Sequence, residues 1–418
     1  MKEKESLLHQ LSHQVLHGIR ERNGQATGNY ESAPIVRLVN EVIELGVELS
    51  ASDIHVEPVE EGLRIRYRVD GQLLGLSELL PKKIQDVFTS RLKIMAGMDT
   101  SERRKPLDGH ISYLADGRSI DLRVASMPVK HGETMVVRLL NGERRLRTLE
   151  ELGFTAENQE IFRRLVHTPT GLLAACGPMN SGKTTTLYAG LQEINREDIH
   201  IMTIEDPVEG VIAGVNQIEV NPKAGLGFAE GLRGILRCDT DAVMIGEIRD
   251  EVSCEIAVRA ALTGHRIFTT IHARDSITSL FRLLEMGVTP YLLTATLTGI
   301  VAQRLVRKIC PHCAESYEAG EEEASFFHEI PRGARLFQGK GCEHCHGTGF
   351  AGRLPLHEIL VMDESLRTAV RLGADRQGMM EAAKKRKQGF RTLLEDGISK
   401  VLAGSTTWQE VRRVLYEC

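Results

Sequence analysis

The chain has 418 residues, enough for two or three domains, and its 42% hydrophobic content is ample for proper cores. A formal net charge of -5 and only 5% aromatic residues argue against a chain whose main work is gripping nucleic acid. No run of about 18 apolar residues occurs, and the charged start Met1-Lys2-Glu3-Lys4-Glu5 lacks the apolar core of a secretion signal, so the expectation is a cytoplasmic chain.

In chain order, residues 1–30 carry Leu7, Leu8, Leu11, Val15 and Ile19 at helical spacing, followed by a loose Gly/Asn stretch, which predicts one amphipathic helix and a linker. His9, His13 and His17 share a helix face and could ligate a metal, although a polar face beside an apolar one is the plainer reading. Residues 31–140 read as a compact α+β domain, with helices over 35–46 and 82–97 and alternating strands over 63–69 and 119–124. A charged linker is expected over 141–151.

From 152 to 306, β-type apolar runs at 172–176, 200–204, 242–245 and 267–271 alternate with helical stretches. Such alternation predicts a parallel sheet covered on both faces, with ligands at the carboxyl ends of its strands. A cysteine-bearing insert is expected over 307–353 and a helical region over 354–418, helical from Glu364. The cluster Lys384-Lys385-Arg386-Lys387 reads as a solvated helix face.

The most informative segment is Gly177-Pro178-Met179-Asn180-Ser181-Gly182-Lys183-Thr184. It fits G-x-x-x-x-G-K-[ST], in which backbone N–H groups wrap phosphates, the lysine reaches the terminal ones and the hydroxyl ligates Mg²⁺. The buried-strand pattern before it and the helical pattern after it supply the required flanks, and the helix N-terminus faces the anion. Asn180 is unusual in such a loop, but asparagine tolerates left-handed backbone angles better than other non-glycine residues.

Acids follow at the ends of the next apolar runs. Glu205, Asp206 and Glu209 lie in Thr203-Ile204-Glu205-Asp206-Pro207-Val208-Glu209, and Glu247 ends Ala242-Val243-Met244-Ile245-Gly246-Glu247. His272 ends Thr269-Thr270-Ile271-His272 and could sense the γ-phosphate. Carboxylates at strand ends behind one phosphate loop form a phosphoryl-transfer site, which also needs arginines from a neighbouring domain or subunit.

Eight cysteines in a cytoplasmic chain point to metal or free thiols. Cys310-Pro311-His312-Cys313 and Cys342-Glu343-His344-Cys345 are two C-x₂-C knuckles separated by 28 residues, the pattern of a closed tetrahedral Zn²⁺ site. Cys176, Cys238, Cys254 and Cys418 show no ligand spacing.

From Pro34 onward these segments together resemble the ATPases of type II secretion and type IV pilus assembly. The resemblance rests on Ser52-Asp53-Ile54-His55-Val56-Glu57-Pro58, Arg66-Tyr67-Arg68-Val69-Asp70-Gly71 and Asp121-Leu122-Arg123-Val124-Ala125-Ser126-Met127-Pro128. It continues through the phosphate loop, the acidic box, Gly246-Glu247-Ile248-Arg249-Asp250 and Ala261-Leu262-Thr263-Gly264-His265.

The resemblance implies an α/β, RecA-like P-loop ATPase domain preceded by a smaller PAS-like α+β domain, with a zinc insert and a helical tail. It further implies a homo-hexameric motor, peripheral at the inner face of the cell membrane, whose ATP turnover drives an inner-membrane platform protein. Membrane association would come only through partners, with no stable nucleic-acid binding. The cofactors implied are ATP, Mg²⁺ and Zn²⁺, the last on Cys310, Cys313, Cys342 and Cys345. Gly177, Pro178, Asn180, Ser181, Gly182, Lys183, Thr184, Thr185 and Asp206 would contact nucleotide. Glu205 and Glu247 would share water activation and metal ordering, with the principal base left open, and the family's arginines of the first domain map onto Arg123 and Arg138.

Three positions depart from the family pattern: Asn180 in place of glycine, Cys238-Asp239-Thr240-Asp241 in place of Gln-Asp-Pro-Asp, and Leu107 in place of glutamine. The four-cysteine module resembles that of assembly and secretion motors and is typically missing from retraction motors. The short N-terminal part most resembles the competence-pilus form. The alternatives are a retraction motor and a zinc-bearing nucleic-acid translocase, the latter lacking the stacking aromatics such a groove needs.

Overall fold

The computed structural model describes residues 2–21, 34–115, 117–140, 146–326, 330–385 and 389–416. The expected Gly/Asn linker and residues 141–145 of the charged linker lie outside this set, as do Arg386, Lys387 and Cys418. The chain divides into two compact units, residues 1–144 and 145–418.

Unit 1 opens with α1 (Lys2–Glu21) and α2 (Pro34–Glu48), followed by β1 (Asp53–Pro58), β2 (Gly62–Val69), β3 (Gln72–Gly75) and β4 (Leu80–Pro81). It continues with α3 (Gln85–Met95), β5 (Leu107–Ala115), β6 (Arg118–Val129) and β7 (Gly132–Leu140). The apolar stripe of α1 behaves as its spacing requires: Leu8, Leu11 and Val15 are buried in one core with Leu38, Val39, Val42 and Ile43 of α2. His9 faces Glu78 at 3.5 Å, and among the described residues the three histidines form no ligand cluster.

The strands make one antiparallel sheet, β3-β2-β1-β7-β6-β5, with β4 on β2. Period-2 alternation sends Leu63, Ile65 and Tyr67 into the core and Arg64, Arg66 and Arg68 to the other face. The Tyr67 hydroxyl donates to the Val42 carbonyl at 3.1 Å, tying the sheet to α2. The expected helix over 82–97 starts one turn later, because Lys82–Ile84 form a 3₁₀ turn.

Unit 2 contains α4 (Ala156–Val166), β8 (Gly171–Cys176), α5 (Lys183–Ile194), β9 (Ile201–Glu205), β10 (Asn216–Glu219) and α6 (Phe228–Ile235). Then come β11 (Ala242–Ile245), α7 (Glu251–Leu262), β12 (Arg266–Ile271), α8 (Ser276–Glu285), α9 (Pro290–Thr296) and β13 (Leu297–Ile309). The sheet order is β10-β9-β11-β12-β8-β13-β16, where β16 is Phe350–Val361, and only the β13–β16 pair is antiparallel. Leu172 and Ala174 enter one core with α7 and α8, while Leu173 and Ala175 enter another with α4 and α5, so both faces are covered.

The insert leaves the sheet after β13 and returns at β16, carrying β14 (Ala314–Glu318), α10 (Glu321–Phe326) and β15 (Arg335–Gly339). Its neck is held by the Cys310 N–H donating to the Gly349 carbonyl at 3.0 Å. The tail folds as α11 (Glu364–Arg371), α12 (Arg376–Lys384), α13 (Leu393–Leu402) and α14 (Trp408–Tyr416). Asp363, Asp375 and Thr392 cap the first three by accepting from backbone N–H groups. Residues 354–361, expected to open a helical region, are instead sheet. Buried His357 and Glu358 interrupt the apolar run there and hide it from a hydrophobicity pattern.

Candidate nucleotide site and cysteine cluster

β8 is buried along its whole length and ends at Cys176, from which the chain turns through the phosphate loop into α5. The turn depends on two glycines. A Cβ on Gly177 would lie 2.4 Å from Ser181 Oγ and 2.5 Å from the Gln303 carbonyl oxygen, and Gly182 has φ +89° with Gln303 Nε2 in the place of its Cβ. Asn180 sits at φ +60°, the left-handed angle its residue type allows.

Pro178 and Asn180 are exposed, Thr184 and Thr185 half-buried, and Ser181 is buried with an Oγ that has no hydrogen-bond partner among the described residues. Lys183 Nζ donates to the Gly177 and Pro178 carbonyls at 3.0 and 2.8 Å, folded back over the loop. Burial pushes its pKa below the usual ammonium range. An orphaned buried hydroxyl beside a lysine that donates to loop carbonyls suits an incoming phosphate with its Mg²⁺.

The parallel register brings the ends of β9, β11, β12 and β8 to one edge, and with them Glu205, Glu247, His272 and the loop. The two glutamates differ sharply. Glu205 is 2% exposed and accepts from Tyr188 Oη, from Thr203 Oγ1 at 2.5 Å and from Gln217 Nε2 at 3.1 Å. Burial raises its pKa against those donors. Glu247 instead pairs with Arg249 and with His272 Nε2 at 3.3 Å, the histidine being 48% exposed. Asp206, next to Glu205, is exposed.

Arg123 and Arg138 lie in unit 1, opposite each other on β6 and β7. Arg138 Nε pairs with Asp53 Oδ1 at 3.0 Å, while Arg123 Nε is buried without a hydrogen-bond partner among the described residues. Sequence reading missed Tyr188, Gln217, Gln303 and Arg304. Of these only Gln303-Arg304 leave a signal, a polar pair inside the apolar run from Ile300 to Val306.

The four knuckle thiols lie within 4.8 Å of one another, with Sγ separations of 3.9 Å for Cys310–Cys342, 3.8 Å for Cys313–Cys345 and 3.7 Å for Cys342–Cys345. Tetrahedral zinc with Zn–S bonds of about 2.3 Å requires sulfurs about 3.8 Å apart. Backbone N–H groups of Cys342 and Gly349 donate to Cys345 Sγ at 3.1 and 3.2 Å. Burial opposes ionisation of that thiol, yet these bonds prevail and bring its pKa down to about 6.

Comparison with known proteins agrees with this layout. Residues 29–413 match the family described as Type II/IV secretion system protein. The Type II secretion system ATPase E of Vibrio cholerae is 43% identical over 389 residues, covering 93% of this chain and 76% of that protein. The Type II secretion system protein E of Xanthomonas campestris is 46% identical over 386 residues, 91% and 67% of the two chains. Among solved structures, the Legionella pneumophila ATPase DotB matches with TM-score 0.65 at 20% identity, covering 90% of this chain and 94% of that one. The pilus retraction motor PilT with bound ADP matches with TM-score 0.59 at 24% identity, covering 89% and 95%. At those identities the two structures speak for the α/β fold alone, whereas the family match spans nearly the whole sequence: the chain belongs to the type II/IV secretion system protein family.

Proposed function

We propose that the chain is a Mg²⁺-dependent ATPase whose homo-hexamer powers assembly of a type II secretion pseudopilus, a competence pseudopilus or a type IV pilus. The observation that carries this reading is the juxtaposition of the phosphate loop with the Glu247–His272 pair at the carboxyl edge of one parallel sheet. The chain would act at the inner face of the membrane through a platform protein, and no helix among the described residues is long and apolar enough to cross a bilayer itself.

Loop amides and Lys183 hold the triphosphate, with Thr184 on the Mg²⁺ side and Thr185 and Asp206 beside it. Bound Mg²⁺ would neutralise developing charge on the phosphates. Glu247 orients and deprotonates the attacking water, and His272, held against its carboxylate, responds to the γ-phosphate. Glu205 keeps the acidic box in place, since its oxygens already accept from three inward donors. Arg123 and Arg138 bring positive charge to nucleotide held by a neighbouring copy. Cys310, Cys313, Cys342 and Cys345 would hold zinc, which would pin the two knuckles in the structural role suited to a closed site. The four-cysteine cluster favours assembly over retraction.

The test has two readouts on purified protein. Glu247→Gln is expected to retain nucleotide while turnover falls by about 10²-fold or more, a larger loss than Glu205→Gln gives. Sedimentation with ATP and Mg²⁺ is expected to show a six-chain species. Equal turnover of Glu247→Gln and wild type contradicts the base assignment, and a monomer under every nucleotide condition contradicts the ring.

A further inference from the structure

We propose that Arg304 is a positioning residue for phosphoryl transfer, a buried cation that locks the segment following His272 to the strand behind the phosphate loop. The proposal rests on the ATPase reading above.

β13 runs parallel to β8, and their register ends with Ala302 opposite Cys176. There β8 gives way to the phosphate loop while β13 continues, so Gln303 and Arg304 lie beside the loop's start. Gln303 supports it directly: its Oε1 accepts from the Thr186 hydroxyl at 2.6 Å, and its carbonyl oxygen occupies the space where a Cβ on Gly177 would go.

The Arg304 guanidinium donates in two directions, through Nη1 to that same Gln303 carbonyl at 2.9 Å and through Nη2 to the Arg274 carbonyl at 2.5 Å. Arg274 is two residues beyond His272, whose imidazole pairs with Glu247. One planar fork therefore fixes the distance between the strand touching Gly177 and the segment presenting His272.

The chemistry of the site is unusual. Arg304 is 9% exposed, and among the described residues no carboxylate forms an ion pair with it. Two acids, Asp275 and Glu358, favour its charge from a distance while making their direct bonds to other groups: Asp275 receives Arg376 at 2.8 Å, and Glu358 accepts from the Ser276 N–H at 2.9 Å and the Leu393 N–H at 3.2 Å. Those same bonds anchor the far side of the His272 segment, because Asp275 caps α8 and Glu358 serves the first residues of both α8 and α13. Asp275 and Glu358 lend this cation partial compensation, yet a buried charge without a direct ion pair is at best no more stabilising than an apolar side chain of the same volume, so stability alone does not account for it. A lysine cannot replace it, since a single ammonium lacks the rigid fork that reaches two separated carbonyls.

The experiment compares steady-state ATP hydrolysis, fluorescent-nucleotide binding and thermal melting for wild type, Arg304→Met, Arg304→Lys, His272→Ala and Arg304→Met with His272→Ala. Misplacing a reacting group by about 1 Å costs roughly 10²-fold, and a fall of that order in kcat is expected for Arg304→Met, with KM for ATP within about 3-fold of wild type. Arg304→Lys is expected to fold and to recover less than about a tenth of the lost rate. Because Arg304 acts through His272, the double variant is expected to match His272→Ala within about 2-fold.

Wild-type kcat in either folded Arg304 variant overturns the proposal, as do losses that multiply in the double variant or that track nucleotide affinity. Should Arg304→Met not fold, Arg304→Lys decides alone. A wild-type protein without ATP hydrolysis would defeat the ATPase reading itself, an outcome distinct from active Arg304 variants.

Discussion

The two sheets hold most of their charged groups differently. In unit 1 the arginines Arg64, Arg66, Arg68 and Arg138 reach water from one face of an antiparallel sheet and pair with Glu57 or Asp53, although Lys93 and Glu133 form a buried pair in the same unit. In unit 2 both faces of the sheet are covered, and Glu205, Glu358, Arg304 and His357 are buried between helices and strands. Charges near water are inexpensive to hold and contribute little, whereas charges in an interior must be satisfied bond by bond. The lesson is that unit 2 has its geometry fixed by polar networks, which is what a site that must place water, acid and phosphate requires.

The largest expected effect is at the insert. Structural zinc in small modules binds with an apparent free energy on the order of 10 kcal/mol, and that energy is folding energy. Native protein is expected to carry one zinc per chain and Cys310→Ser none, with protease cutting the insert; elemental analysis and limited proteolysis read both. Metal-free native protein would break the assignment.

Next in size is Glu410, which accepts from the Arg307 N–H at 3.1 Å and pairs with Arg307 and Arg413 at 2.7 and 2.8 Å. Burial opposes its ionisation, but the bonds from Arg413 and then Arg307 prevail and bring its pKa to about 2, from 4.5. A lowered folded-state pKa means stability that is complete above 4.5 and lost as pH falls toward 2. Glu410→Gln is expected to cost about 3 kcal/mol at pH 7 in urea melts, and to lack the wild type's decline over that window. An unchanged acid profile would show that the network does not hold α14.

The smallest stability effect is expected in unit 1. Arg138 is 59% exposed, so Arg138→Ala should shift the melting free energy by less than about 0.5 kcal/mol. Turnover of the assembled ring should nevertheless fall, since the proposed role of Arg138 is toward a neighbour's nucleotide. A large stability loss would erase the contrast between the two sheets.

The same contrast governs what could be read from the residues. Among the strands that form the parallel core of unit 2, residues 172–176 and 242–245 are continuous apolar runs and residues 267–271 are broken only by Thr269 and Thr270, because both faces are buried, and they stand out. Unit 1 showed β2 and β6 through their alternation, but β1 and β5 mix His55, Glu57, Asp108 and His110 into half-buried strands and did not. The phosphate loop, the strand-end acids and the knuckles were legible because their chemistry demands residue types at fixed spacing. Tyr188 and Gln217 were not, and Arg304 showed only as half of a polar pair in an apolar run, because their partners lie 17, 12 and 30 residues away in sequence and only the folded sheet brings them together.

The central claim is that Lys183 and the amides around it hold a triphosphate for cleavage. Phosphate release by purified wild-type chain, set against Lys183→Ala under saturating ATP and Mg²⁺, tests it most directly. Steady turnover is expected in the wild type, with loss of both tight nucleotide binding and hydrolysis in the variant. Undiminished hydrolysis by Lys183→Ala would contradict it.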